Sequence, residues 1–295
     1  MWNIDMKNKN MLQEKELYKS LKPFLNCKDF TVSKETYEVM INQKYDMLVT
    51  SPVPSDLENY YKSEEYISHT DSKKTLFDKA YQVVKKYALK RKVSLLNSFE
   101  TDEKTVLDIG AGTGDFLNSC KDSNWETFGL EPNKDAIKIA ATKGVFLKER
   151  LSEFKNEKFD VITLWHVLEH IENLSDYIES LKKLLKEKGT LVIAVPNYKS
   201  YDAKLYREYW AAYDVPRHLW HFSQDSISKL FSQVSMTVTK TIPMKFDAYY
   251  VSLLSEKYKS GKMRPLKSFC NGFQSNVKAR KTSEYSSLIY IIKNS

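Results

Sequence analysis

The stretch that decides the fold is Val106–Phe116, VLDIGAGTGDF. A short apolar run contains an acid, Asp108, and three glycines follow at alternate positions, Gly110, Gly112 and Gly114. Glycine at the end of a strand lets the backbone turn tightly and lets a ligand touch main-chain atoms. A helix that begins directly afterwards presents its N-terminal N–H groups to the same ligand. The stretch therefore predicts a strand, a ligand-binding turn and a helix.

Strands and helices alternate on the C-terminal side of this stretch, with short links between them. Strands are predicted at TFGLEPN, KFDVITLW and TLVIAVPN, a weaker one at VFLKE, and helices at GDFLNSCKDSN, KDAIKIAATKG and NLSDYIESLKKLLKEKG. The last two helices are expected to end at Gly144 and Gly189. Continuously apolar runs such as VITLW and LVIAV are typical of strands buried on both faces. The alternation predicts an α/β fold with a doubly wound, mostly parallel sheet.

The residues before this pattern differ in character. Short β-branched and aromatic runs over Phe30–Pro54 predict two or three small strands. Helical apolar spacing from Leu76 to Leu96 predicts one long helix. We therefore divide the chain into residues 1–72, a region of small strands and a lid, and residues 73–295, the main domain. Two helical stretches near residues 248–280 and a closing strand, SSLIYIIKN, complete the prediction.

The composition is that of a globular protein, with 42% hydrophobic and 28% charged residues among 295. No apolar run is long enough to span a bilayer, and the first residues lack the apolar segment of a secretory signal. Cys27, Cys120 and Cys270 are too far apart to suggest a disulfide framework or a zinc site. We therefore expect a cytoplasmic protein, and the sequence does not determine its oligomeric state.

The formal net charge of +8 raises the question of a nucleic-acid partner. Many of the lysines alternate with glutamates, as in LKKLLKEKG, and no RNA-binding signature accompanies them. This pattern favours solvated helix faces over a phosphate-binding track. A small-molecule or glycan acceptor is the expected partner, and nucleic acid is disfavoured.

Two classes of ligand use a glycine-rich turn after a first strand. Dinucleotides require GxGxxG, whereas the spacing here is GxGxG, and the acid Asp108 would repel a pyrophosphate. A zwitterion fits better, because Asp108 can face an ammonium group while N–H groups take a carboxylate. Glu131, at the end of the second strand, can accept hydrogen bonds from both hydroxyls of a ribose. S-adenosylmethionine carries all of these groups; the plain alternative is a helix N-cap at Asp108 and an ordinary tight turn.

Together these motifs resemble the class I S-adenosylmethionine-dependent methyltransferases. VLDIGAGTGDF, GLEPN, FDVITLWHVLEHI and GTLVIAVPN match in order over about residues 105–240. The resemblance implies a Rossmann-like, seven-stranded sheet with an antiparallel last strand. It also implies that the loops after strands one, two and four hold the cofactor, with Leu151 packed against the adenine. The cofactor-binding positions that we carry over are Asp108, Gly110, Ala111, Gly112, Gly114, Glu131, Pro132, Leu151, Trp165 and His166.

A second, fainter resemblance concerns DVPRHLWHFS, which is similar to a segment after strand five in sugar C-methyltransferases. It implies that His218 is the catalytic base and that His221 stands where those enzymes carry Tyr. We expect Arg217 and His221, as further catalytic residues, to orient the substrate or balance charge. Those enzymes begin with a zinc-binding unit of paired cysteines. Here only Cys27 remains in the corresponding region, so we expect no bound metal. Tyr66, in a stretch similar to their N-terminal lids, is a further catalytic candidate.

The stretch HVLEH, His166–His170, also matches the zinc-protease pattern HxxEH. That chemistry needs both histidines on one helical face, and the motif here follows a strand directly, so we disfavour it. A divalent ion held by Glu169 and His170, as in some quinone-precursor O-methyltransferases, is another disfavoured alternative.

We therefore predict transfer of a methyl group from S-adenosylmethionine to oxygen or carbon of a small-molecule or glycan acceptor. The alternatives are a nicotinamide-dependent oxidoreductase, an RNA methyltransferase and a non-catalytic cofactor-binding protein. The RNA alternative is weakened because LWHV stands where base N-methylation would need Asn/Asp-Pro-Pro-Tyr.

Overall fold

A computed structural model describes residues 11–61 and 76–295 of the chain. The candidate residue Tyr66, with the rest of the predicted lid, and the boundary proposed at residue 72 lie outside these ranges. Both therefore stay predictions.

A small antiparallel sheet lies near the N-terminus of the described chain. Helix α1 (Met11–Leu17) is followed by strands β1 (Lys22–Lys28), β2 (Thr36–Asn42) and β3 (Met47–Ser51), which pair in that order. Strands β2 and β3 are rich in β-branched, aromatic and other apolar side chains that favour a pleated, half-buried surface. The prediction of small strands is confirmed, although β1 lies before the predicted region.

The main domain follows with alternating helices and strands. In chain order they are α2 (Leu76–Leu96), β4 (Thr105–Ile109), α3 (Asp115–Lys121), β5 (Glu126–Leu130), α4 (Lys134–Thr142), β6 (Phe159–Trp165), α5 (Leu174–Leu184), β7 (Leu185–Pro196), α6 (Tyr201–Tyr206), β8 (Trp220–His221), α7 (Gln224–Ser232), β9 (Met236–Pro243), α8 (Asp247–Ser260), α9 (Pro265–Thr282) and β10 (Ser287–Asn294).

The central sheet has the strand order β5-β4-β6-β7-β10-β9. Strands β4 to β7 run parallel, and β10 is antiparallel to both of its neighbours. Neighbouring strand residues point to opposite faces, and both faces are covered, one by α2, α3 and α4 and the other by α5 and α7. The predicted doubly wound α/β sheet and its antiparallel last strand are confirmed.

The number of strands differs from the expected seven. Among the described residues the central sheet has six, because the predicted weak strand VFLKE forms only an isolated bridge between Leu130 and Lys148. Phe146, in the middle of that segment, is 81% exposed, whereas Val145 before it is buried. Too few of its side chains face the core to hold a full edge strand.

Helix α5 is also shorter than predicted and ends at Leu184 instead of Gly189. Leu185 pairs with Phe159 of β6, and the register then shifts so that Thr190 pairs with Val161. The Leu185 side chain is buried where β7 begins, and removing it from water stabilises this pairing with β6. Gly189 allows the chain to pass close by, since a Cβ there would lie 2.7 Å from Leu185 Cγ.

Strand β8 joins the two sheets. Its residues Trp220 and His221 pair with Val49 and Leu48 of β3, and the Thr50 N–H donates to the Leu219 carbonyl at 2.9 Å. The aromatic insertion after β7 is thereby fixed against the N-terminal sheet. This pairing positions its histidines beside the loop that follows β6.

Candidate active site

The glycine turn after β4 has the conformation that its sequence predicts. Gly110, Gly112 and Gly114 all have positive φ, at 75°, 53° and 77°, a region that side chains disfavour. A Cβ on Gly114 would lie 3.1 Å from Val145, so packing alone explains that glycine. A Cβ on Gly112 would meet nothing within 4 Å, so Gly112 borders open space beside the strand ends.

Two buried acids flank this turn. Asp108 accepts a hydrogen bond at 2.6 Å from the Thr163 hydroxyl on the neighbouring strand. Glu131 accepts from the N–H groups of Gly112 and Asn133, both at 2.9 Å, and so joins the glycine turn to the end of β5. The carboxylates that the sequence assigns to the ammonium and the ribose are therefore brought to one edge of the sheet.

The electrostatics of this edge favour a cationic ligand group. Burial raises the pKa of Asp108 to about 7, although the Thr163 hydrogen bond and the nearby Lys92 act in the opposite direction. Burial also raises the pKa of Glu131, against its two N–H donors. A cation beside Asp108 would restore its ionised form.

Lys92 of α2 is a candidate cofactor-binding residue that the sequence did not predict. Its ammonium lies over the Trp165 ring, 4.1 Å from the ring centroid, and burial lowers its pKa to about 8. Trp165 also packs edge to face against Phe116, and its indole N–H has no hydrogen-bond partner within the described chain. Helical spacing alone shows α2 as a packing helix, so only the tertiary contact reveals this lysine.

His166 follows Trp165 at the end of β6 and has a positive φ of 58°. Its ring nitrogens lie 3.3 Å from Glu169 Oε1 and 3.1 Å from Asp247 Oδ2. Burial opposes the charged imidazolium, but these two carboxylates outweigh it and raise the pKa of His166 to about 10. His166 is therefore charged at neutral pH and connects the loop after β6 to the start of α8.

Three other histidines form a cluster between the loop after β6 and the insertion after β7; His218 and His221 are buried and His170 is half-buried. The ring centroids of His170 and His218 are 4.6 Å apart, and those of His218 and His221 are 6.4 Å apart. His218 Nδ1 lies 2.9 Å from the Ala212 carbonyl oxygen, and His221 Nε2 lies 3.0 Å from the Thr50 hydroxyl. Burial, with the nearby His218, lowers the pKa of His170 to about 4 and that of His221 to about 3.

Glu169 connects this cluster to His166. Its side chain is fully buried; Oε1 lies 3.3 Å from His166 Nδ1 and 4.0 Å from His218 Nε2. Burial disfavours the carboxylate, but His166 and the other histidines outweigh this and lower the pKa of Glu169. Glu169 Oε2 has no hydrogen-bond partner within the described part of the chain.

Arg217 pairs with Asp214 inside the same insertion. Its Nε donates to Asp214 Oδ2 at 2.9 Å, and a second guanidinium nitrogen contacts Oδ1. Desolvation disfavours the half-buried Asp214 carboxylate, but Arg217 outweighs it and holds the pKa of Asp214 at about 2. Arg217 also donates to the Tyr60 carbonyl at 3.4 Å, so its contacts fix the insertion against the N-terminal region. Its predicted role toward the substrate stays a prediction.

Three further residues that we predicted to bind the cofactor are buried or half-buried. Ala111 is buried and donates its N–H to the Leu130 carbonyl at 3.0 Å, Pro132 is half-buried, and Leu151 is buried at the start of a 3₁₀ helix, Leu151–Phe154. Their contact with a cofactor stays a prediction.

One set of side chains could hold a metal ion. Within residues 11–61 and 76–295, Glu169, His170 and His218 form the one group that was found, with a ligand atom from each within 4.8 Å of the others. Two imidazoles and a carboxylate suit a divalent transition metal.

The zinc-protease pattern is not assembled, because His166 lies before the 3₁₀ helix Leu168–His170 and its Nε2 contacts Asp247. Cys27 is buried, and its thiol donates to the Glu208 carbonyl.

This arrangement of strand-end acids and a glycine turn is that of a methyltransferase fold. The methyltransferase domain family matches residues 77–241, more than half of the chain, and the protein belongs to that family. The predicted class is confirmed, and the predicted cofactor, S-adenosylmethionine, agrees with it.

Individual relatives are more distant. A ubiquinone biosynthesis O-methyltransferase of Glaesserella parasuis is 36% identical over 109 residues, which cover 32% of this chain and 46% of the relative. An uncharacterised protein of Methanocaldococcus jannaschii is 35% identical over 105 residues, 35% of this chain and 49% of the relative. The matches thus span about half the length of these curated relatives.

Solved structures support the same fold. Magnesium protoporphyrin IX methyltransferase from Synechocystis PCC 6803, with bound S-adenosylhomocysteine, superposes with a TM-score of 0.52 at 14% identity, over 82% of this chain and 95% of that one. A methyltransferase from Thermotoga maritima gives a TM-score of 0.51 at 16% identity, over 74% and 94%. In the described residues, no helix is both long and apolar enough to cross a membrane.

Proposed function

We propose that the protein transfers a methyl group from S-adenosylmethionine to a small-molecule or glycan acceptor, with His218 as general base. The observation that carries this proposal is the position of Glu169 Oε1, within 4.0 Å of His218 Nε2 and 3.3 Å of His166 Nδ1. Through Glu169, the histidine cluster adjoins the strand end that carries the cofactor-binding candidates. A methyl donor and a proton acceptor can therefore meet at one edge of the sheet.

In this proposal the cofactor lies across the ends of β4, β5 and β6. Asp108 faces the ammonium group, and Glu131 accepts hydrogen bonds from the ribose hydroxyls. Lys92, over the Trp165 ring, pairs with the carboxylate of the cofactor. The site is built from fixed groups on strand ends, which suits the alignment that methyl transfer needs.

The chemical step is an in-line displacement at the methyl carbon. A lone pair on the acceptor oxygen, or the electron pair on the acceptor carbon, forms the new bond to the methyl group. The sulfur–methyl bond breaks at the same time, and its electron pair stays on sulfur and neutralises the sulfonium. The acceptor proton passes to His218 Nε2, because the contact of Nδ1 with the Ala212 carbonyl assigns the N–H to that side. Glu169 then stabilises the imidazolium.

Oxygen is the methylated atom that we favour. Support comes from the O-methyltransferases among the relatives at 36% and 30% identity. Carbon methylation rests on the likeness of DVPRHLWHFS alone.

The test uses labelled S-adenosylmethionine with pools of small molecules, glycans and RNA, followed by kinetics on the acceptor that is methylated. We expect His218→Ala to lower turnover by roughly 10²–10⁴-fold, the range for loss of a general base, with cofactor affinity unchanged. His221→Asn is the comparison variant, since His221 is also buried and contacts Thr50, and we expect it to orient the substrate and not to accept the proton. The loss of turnover should be much larger in His218→Ala than in His221→Asn.

Two results would contradict the base assignment. One is near wild-type turnover by His218→Ala on the true acceptor. The other is loss of activity in a chelator with recovery on adding a divalent metal, which would make Glu169, His170 and His218 metal ligands. Methylation of RNA alone would overturn the acceptor class.

A further inference from the structure

One segment of the chain carries positive charge without any acidic residue. Residues 257–283 contain eight Lys and Arg and no Asp or Glu, which equals the net charge of +8 for the whole chain. All eight side chains are exposed. The interpretation of the charge as scattered lysines offset by glutamates therefore does not hold for α9 and the loop before it.

The same segment exposes large apolar side chains. Leu266, Phe269, Phe273 and Val277 on α9 are 85%, 60%, 53% and 41% exposed. Their spacing places them on one face of the helix. From Leu266 to Val277 this face is about 16 Å long, at about 1.5 Å per residue. Contiguous apolar surface of this kind on a soluble domain marks an interaction site.

The opposite face of α9 fixes this orientation. It carries small buried residues, Ser268, Gly272, Ser275 and Ala279. A Cβ on Gly272 would lie 2.9 Å from the Ala248 carbonyl oxygen of α8, so the two helices pack at close range there. Phe269 stacks on Tyr249 of α8, with ring centroids 5.1 Å apart, and is still 60% exposed, so the close approach at Gly272 leaves the aromatic face of α9 largely open to solvent.

We propose that α9 is a docking helix for an anionic lipid surface. Its apolar face would enter the boundary between headgroups and acyl chains, as interfacial amphipathic helices do. Lys267, Lys278, Arg280 and Lys281 flank that face along the helix and can reach lipid phosphates. The segment thus combines both features by which such helices bind, apolar area and cationic charge.

Other occupants fit less well. A second copy of the chain would bring a second segment of eight cations against the first, and within the described chain only Lys267 of these is paired with an acid, Glu256, at 3.0 Å. RNA would match the charge, and Phe269 and Phe273 could stack on bases, but Leu266 and Val277 at the two ends of the face have no ring, whereas the boundary with acyl chains accommodates all four side chains. The proposal does not depend on the catalytic proposal, because vesicle binding is measured without cofactor or acceptor.

The experiment is co-sedimentation of the full chain with vesicles of phosphatidylcholine, with or without phosphatidylglycerol. We expect binding to the anionic vesicles, weakened by salt, and little to the neutral ones. Lys278→Ala/Arg280→Ala/Lys281→Ala should weaken it by roughly 100-fold, at about a factor of five per cation. Leu266→Ser/Phe273→Ser should abolish it, whereas Phe146→Ser, an equally exposed apolar side chain outside α9, should bind as wild type.

Three results would overturn the proposal. The first is failure of the wild type to bind anionic vesicles. The second is equal binding by wild type and Leu266→Ser/Phe273→Ser, with circular dichroism showing both folded. The third is a wild-type dimer, seen by light scattering, that this double variant converts to monomer, which would assign the face to a second copy.

Discussion

Replacing Gly112 with alanine tests the cofactor site most directly, because the chain supplies a matched control. Gly112 and Gly144 both have positive φ, at 53° and 72°, and a Cβ at either position would meet nothing within 4 Å. The backbone strain introduced by alanine is therefore similar at the two positions. They differ in surroundings, since Gly112 lies beside Asp108 and Glu131, and Gly144 follows α4.

The expected losses of stability and of cofactor affinity follow from the backbone angle and the free space at each glycine. Alanine in the left-handed region costs about 1–2 kcal/mol, so each variant should lower the melting temperature by roughly 2–8 °C for a chain of this size. At Gly112 the added methyl group also points into the space proposed for the cofactor. Crowding of that order costs about 1–3 kcal/mol, so affinity for S-adenosylmethionine should fall by roughly 5–150-fold. Gly144→Ala should bind the cofactor as the wild type does.

Titration calorimetry gives the affinities, and thermal unfolding without ligand gives the stabilities. If Gly112→Ala and Gly144→Ala bind the cofactor equally well, the cofactor does not lie against the glycine turn. If both variants lose much of their affinity for the cofactor, backbone strain causes the loss, and the reasoning is likewise refuted.

Two further predictions concern the acids at the same edge. Glu131→Ala should weaken cofactor binding by about 1.5–3 kcal/mol, the range for hydrogen bonds to a charged group; unchanged affinity by calorimetry would remove Glu131 from the ribose site. Burial raises the pKa of Asp108 from 3.8 to about 7, so its carboxylate ionises, and can pair with an ammonium, only as the pH rises through 7. Affinity should therefore increase from acidic pH toward 7, by at most about tenfold per pH unit, and Asp108→Asn should abolish this dependence; a wild type with pH-independent affinity would contradict the assignment.

The parts of the fold that follow from local chemistry were predictable. Continuously apolar strands such as β6 and β7 require cover on both faces, and glycines at alternate positions after β4 require a backbone that other residues disfavour. These features need no knowledge of distant neighbours. The parallel part of the sheet and the position of Asp108 and Glu131 at one edge follow from them, whereas the antiparallel last strand was predicted only from the resemblance to class I methyltransferases.

The parts that depend on distant contacts were not predictable in the same way. Glu169 and His218 are 49 positions apart in the sequence, and tertiary contacts such as the hydrogen bond from the Leu219 N–H to the Glu169 carbonyl, at 2.8 Å, bring them together. In the sequence, Lys92 is one of several cations on a packing helix. Only the structure shows that its ammonium lies over the Trp165 ring. Similarly, the pattern of α9 does not show that its small residues face inward, since that depends on the close approach of α8 at Gly272.

Glu169 also constrains the acceptor. A fully buried carboxylate is tolerated only when it is paired and hydrogen-bonded, and the charged His166 satisfies Oε1 while it also contacts Asp247. Oε2 is buried without a partner in the described residues, and an unsatisfied group of this kind costs about 1–3 kcal/mol. A hydroxyl or ammonium donor on the acceptor would remove that cost beside His218 Nε2. We therefore expect the enzyme to prefer acceptors that carry a hydrogen-bond donor next to the methylated atom over analogues in which that donor is replaced by hydrogen. The preference should disappear in Glu169→Gln, whose amide group can donate as well as accept; a preference that survived this substitution would place the acceptor elsewhere.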